Sequence, residues 1–108
     1  MDEIEKPRVL FVCRRGISSK RFLEMFSEYL QKQGLGGKFE LESGGIADED
    51  LAQRVAASVH VVGIYPEVVS RLATLIDQGG MAAKLHEIGV ANLKPDWNAR
   101  LLEELIGE

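Results

Sequence analysis

The strongest constraint on the fold is the run Val9-Leu10-Phe11-Val12-Cys13. It is an unbroken apolar stretch that stops at the chain's single cysteine and gives way to Arg14-Arg15-Gly16-Ile17-Ser18-Ser19-Lys20. A strand with one face in water alternates polar and apolar residues, whereas one covered on both faces has no need to. The span 8–13 therefore reads as a central strand of a parallel sheet. Beyond the loop, Phe22, Phe26, Tyr29 and Leu30 recur at helical spacing, Leu23 widens the stripe, and Gly34, Gly36 and Gly37 close the segment. Ser18 or Ser19 is the expected N-cap of that helix.

The same alternation continues to the end of the chain. Residues 38–43, with Phe39 and Leu41 on one face, predict a second strand that stops at Gly44-Gly45. Residues 47–57 carry Leu51 and Val55 one turn apart behind Asp48, which predicts a short helix with an aspartate cap. A third strand is expected over 59–64, followed by Pro66 in a first helical turn, Glu67, and an apolar stripe of Val69, Leu72, Ala73 and Ile76 that ends at Gly79-Gly80. A fourth strand over 84–91 is interrupted by His86 and Glu87. The last helix runs from Trp97 or Asn98 to Ile106, with Leu101, Leu102, Leu105 and Ile106 facing inward. Strand followed by helix, four times over, predicts an α/β fold: a three-layer α/β/α sandwich around a four-stranded parallel sheet. Residues 1–7 are polar and end in proline, so they read as a flexible tail ahead of one domain over 8–108.

In a sheet of this kind ligands sit beyond the carboxyl ends of the strands, where the strand order reverses. The loop after the first strand lies there. A strand-to-helix junction aims backbone N–H groups and the positive end of a helix dipole at one spot, which suits phosphate. The same donors stabilise a thiolate, so Cys13 is a candidate nucleophile with a lowered pKa. Gly16 would permit the tight turn, and the amides of residues 14 to 19 would hold the equatorial oxygens of a phosphoryl group. Arg14, Arg15, Lys20 and Arg21 cluster there in a chain of net charge −4. Cations are misplaced at a helix start unless an anion offsets them. The plainer alternatives are a buried strand-end cysteine and a solvated basic rim.

The acidic balance argues against a general nucleic-acid binder. A lone cysteine without an export signal points to the cytoplasm, and no apolar run is long enough for a membrane span. His60 and His86 fall within strands without metal-ligand spacing and read as structural, so neither metal nor cofactor is expected. Tyr65-Pro66 borders the same end of the sheet as the loop and could line a pocket. Trp97 is either an exposed anchor or a cover for the core.

Cys13-Arg14-Arg15-Gly16-Ile17-Ser18-Ser19 after a valine-rich first strand resembles two families that share a small four-strand fold of order 2-1-3-4. One is the low-molecular-weight protein tyrosine phosphatases, whose loop is a cysteine, five residues, then arginine and serine. The other is the cysteine-phosphorylated enzyme IIB components of sugar phosphotransferase systems (PTS), with a cysteine, two residues, glycine, a hydrophobe, then serine or threonine. Glu42-Ser43-Gly44-Gly45-Ile46 is similar to the serine-alanine-glycine turn of the phosphatases. Lys94-Pro95-Asp96-Trp97 is similar to their segment that carries the general acid.

The phosphatase resemblance implies Cys13 as nucleophile, Asp96 as general acid, and a phosphate cradle of Arg14, Arg15, Gly16, Ile17, Ser18, Ser19 and Lys20. It departs at Ser19, which stands where those enzymes have an arginine. That arginine grips phosphate oxygens bidentately, and neither a serine nor the adjacent Lys20 reproduces it. Losing one transition-state donor typically costs about 10²–10³ in rate. The expectation is thus a phosphatase-like protein that binds phosphate or a phosphorylated protein or small molecule, with hydrolysis impaired. The IIB resemblance implies instead a phosphocarrier charged on Cys13 by a phosphodonor protein, for which no general acid is needed. A non-catalytic interaction module on the same fold is the third reading.

Overall fold

The computed structural model describes residues 6–88 and 97–106. The element order is β1 (Arg8–Cys13), α1 (Ile17–Lys32), β2 (Glu40–Gly45), α2 (Leu51–Ala56), β3 (His60–Gly63), α3 (Pro66–Gly79), β4 (Lys84–Glu87) and α4 (Trp97–Ile106). The four strands form one sheet in the order β2-β1-β3-β4. All pairings are parallel, with Cys13 opposite Gly45 and Val12 opposite Gly63.

Helices cover both faces, which explains the unbroken apolar β1. Val9 and Phe11 point into a cluster with Phe26 and Leu30 of α1 and Leu101 and Leu105 of α4. Leu10 and Val12 point the opposite way, onto Leu51 and Val55 of α2 and Val68 and Leu72 of α3. Full burial of each such side chain contributes about 1.5–3 kcal/mol. Trp97 is a core cover: it meets Phe22 edge-on at 5.3 Å and stacks on Phe26 at 6.3 Å.

Several boundaries depart from the expected ones, each for a local reason. The N-cap of α1 is Gly16 in the left-handed conformation (φ 85°), and both Ser18 and Ser19 lie inside the helix. β2 begins two residues late and runs through Gly44-Gly45, because the amide of Ile46 still donates to the Cys13 carbonyl at 2.8 Å. Asp48 is no cap. Its carboxylate closes the turn after β2 by accepting from the Gly45 amide at 2.9 Å, and α2 starts at Leu51. On α3 the buried stripe is Val68 and Leu72, while Ala73 is exposed. Ile106 is likewise exposed at the end of α4. β4 stops at Glu87, and residues 89–91 of the expected strand lie outside the described residues.

The two histidines belong to the packing. His60 Nδ1 and His86 Nε2 are 2.9 Å apart, and His86 Nδ1 is 3.0 Å from the Glu104 carboxylate. With His86 Nδ1–H donating to the carboxylate, a neutral His86 accepts from His60 at Nε2. This chain ties β3 and β4 to α4. At the other edge, Pro7 already joins the sheet, its carbonyl accepting from the Glu40 amide at 2.9 Å.

Candidate functional site

The chain leaves β1 for α1 and β2 on one side of β1, then crosses by α2 to β3 on the other. The strand order reverses between β1 and β3, and the loops after these two strands diverge around an opening. A pocket of about 340 Å³ lies there, lined by Cys13, Arg14, Arg15, Ile17 and Ser18 from the first loop and Tyr65 from the second.

Cys13 is the last residue of β1 and belongs to neither apolar cluster. Although only 2% exposed, it forms part of the pocket wall, so a molecule must enter the pocket to reach it. Its sulfur accepts from the Gly16 amide at 3.0 Å and from the Ser19 amide at 3.2 Å. Helix α1 has neither a side-chain cap nor an acidic residue in its first turn. The sulfur takes that place, satisfying the third helical amide as a capping oxygen would. Burial on its own would raise the Cys13 pKa. Hydrogen bonds from the Ser19 hydroxyl and from the amides of Ser19, Gly16 and Arg15 outweigh it, and the thiol ionises below its ordinary value.

Ser19 is fully buried, and its hydroxyl donates to the Gly44 carbonyl at 3.1 Å. That single proton also lies within reach of the sulfur. A charged sulfur is a stronger acceptor for such a proton than a carbonyl oxygen. The loop is seated on the β2 glycines. A Cβ on Gly45 would stand 3.0 Å from the Arg15 carbonyl carbon and 3.1 Å from the Gly16 nitrogen.

The remaining expected residues divide plainly. Arg14 and Arg15 are exposed and line the pocket. The Arg14 guanidinium lies over the Tyr65 ring, 4.9 Å from its centroid, and pairs with Glu67 in the first turn of α3. Ser18 Oγ is 3.5 Å from the Tyr65 hydroxyl across the pocket. Ile17 is 75% exposed at the rim. Lys20 is exposed on α1 and is not part of the lining. Ser43 is within β2, where its carbonyl accepts from Arg54, and contributes nothing to the pocket. Asp96, the expected general acid, lies outside the described residues together with Lys94 and Pro95. Glu67 was legible only as a first-turn acid of its helix, because nothing in the sequence links it to Arg14.

Among the described residues no group of three or more His, Cys, Asp or Glu is placed to hold a metal ion. Nor is any helix among them long and apolar enough to cross a membrane. Fold and site together define a small parallel α/β domain whose first strand delivers a hydrogen-bonded thiol to the point where the strand order reverses. No protein-family model matches the chain, and no curated protein matches it.

Proposed function

We propose that the pocket above Cys13 binds phosphate or a phosphorylated group and that Cys13 can accept the phosphoryl group, in a phosphatase-like protein with weak hydrolysis. The observation that carries this reading is the pair of amide donations to the sulfur, from Gly16 and Ser19, at the base of a pocket rimmed by Arg14 and Arg15. The reaction has two steps. The thiolate attacks phosphorus, the S–P bond forms, and the P–O bond to the leaving group breaks, with that oxygen taking a proton. Water then attacks phosphorus, the S–P bond breaks, and inorganic phosphate and the thiolate are released. In the phosphatase reading Asp96 supplies the leaving-group proton. A reducing cytoplasm, where Cys13 stays a thiol, suits this chemistry.

A second reading is favoured by Ser19. The position is buried and hydrogen-bonded to Gly44, leaving no place there for an arginine that would grip the flattening phosphoryl group. A carrier resembling enzyme IIB has less need of that grip, because it receives phosphate from a phosphohistidine donor with breakage of a P–N bond and passes it on to a sugar.

Incubation with an aryl phosphate, and separately with a phosphohistidine donor protein, distinguishes the readings by following phosphate on Cys13. Turnover of the aryl ester that disappears in Cys13→Ser supports hydrolysis. Stoichiometric labelling from the donor protein alone supports the carrier. Absence of both, with no phosphate-induced change at the loop, leaves an interaction module.

A further inference from the structure

The cation best positioned beside the pocket is engaged elsewhere. Arg14 directly follows Cys13, and its guanidinium rests on Tyr65 while pairing with Glu67 at the start of α3. Arg14 and Tyr65 both line the pocket, whereas Glu67 does not. Ser19 is neutral and buried, so among the lining residues only Arg14 and Arg15 can bring positive charge to an oxyanion.

Resting on the reading that the pocket takes a phosphoryl group, we propose that Arg14 is the pocket's anion clamp and that Glu67 withholds it until a phosphoryl group displaces the carboxylate. The pair is well suited to such an exchange. Its side chains are 61% and 54% exposed, and ion pairs this open to water hold weakly. A phosphoryl dianion carries more charge than one carboxylate and presents acceptor oxygens spaced for the guanidinium fork. Tyr65 gives the guanidinium a flat face beside the pocket, which shortens the path between its two partners. Glu67 has its own reason to stay where it is, since an acid in the first turn stabilises α3. Affinity for phosphate is then set by a competition within the protein, and removing the competitor strengthens binding.

The test titrates inorganic phosphate into the full chain, reading the backbone amide resonances of residues 14–19 and the protection of Cys13 from iodoacetamide. Glu67→Gln is expected to tighten binding about five-fold and Arg14→Gln to weaken it about ten-fold. The double variant should bind like Arg14→Gln, because no clamp is left to release. Arg14→Lys keeps the charge and loses the fork, and should fall between wild type and Arg14→Gln. Both positions are exposed, and thermal melts check that each variant is folded. Affinities of Glu67→Gln and Arg14→Gln within about two-fold of wild type, with loop amides still shifting, would overturn the clamp and leave the pocket reading standing. A Glu67→Gln gain that persists without Arg14 would overturn it too, since Glu67 would then act by bulk charge. No phosphate-dependent shift in any variant sinks the pocket reading and the clamp with it.

Discussion

Cys13 owes its chemistry to a contest between burial, which penalises a thiolate, and donors that reward it, and the donors win. Alkylation by iodoacetamide should therefore show a pH midpoint below the ~8.5 of an ordinary thiol. Ser19→Ala removes one donor; it should raise that midpoint and cost about 1 kcal/mol for the lost bond to Gly44, read by denaturant melts. The sign of the stability effect follows from the direction of the shift. Between the lowered native value and the unfolded one, the unfolded chain carries a proton that the native chain lacks. Stability contributed by Cys13 thus rises with pH across that window, and it is lost as the pH falls through the native value. Melts at a series of pH values should show this slope in the wild type and its absence in Cys13→Ser. Every residue of this contest lies within seven positions of sequence, Gly44 excepted. The hydrogen-bonded thiol at the end of β1 was accordingly legible, while the capping role expected of Ser18 or Ser19 falls to the sulfur rather than to a hydroxyl.

Among the elements, β2 shows how a strand can serve a site without contributing a side chain. The pair Gly44-Gly45 looked like the end of the strand; it is part of the ladder, and the missing Cβ atoms make room for the Cys13 loop on one side and Arg54 on the other. Gly45→Ala would press a methyl group against Arg14, Arg15 and Gly16 backbone atoms at 3.0–3.2 Å, none of which can swing away. The expected result is a destabilisation of about 1–3 kcal/mol together with a raised alkylation midpoint, because the loop amides move off the sulfur. Leu72→Ala, in the cluster under α3, should cost about 2–5 kcal/mol and leave the midpoint unchanged. Comparing the two variants separates general loss of packing from damage to the loop. Helix faces were read less well than strand faces. Ala73 and Ile106 sit near the edges of their apolar stripes, and how far the neighbouring layer extends decides whether an edge residue is covered.

At the scale of the whole molecule, an acidic protein sets two adjacent arginines, Arg14 and Arg15, at one opening. That arrangement concentrates anions locally, so phosphate affinity should fall as ionic strength rises past the ~10 Å screening length of 0.1 M salt, measured by titration with and without added chloride. The decline should be steeper in Glu67→Gln, because in the wild type added salt also loosens the competing Arg14–Glu67 pair and partly offsets the loss. The opening exists because β1 has neighbours on both sides, which parts the loops after β1 and β3.

The parallel sheet with helices on both faces followed from the sequence, because an apolar run covered on both faces leaves few topologies open; the order β2-β1-β3-β4 is the one that the family resemblance implied. Contacts between distant segments did not follow from the sequence. The meeting of Arg14 with Tyr65 and Glu67, the seat of the loop on Gly45 and the chain from His60 through His86 to Glu104 leave no periodic trace. Local patterns record which side of an element is buried; which polar groups then face one another is decided only when the layers close.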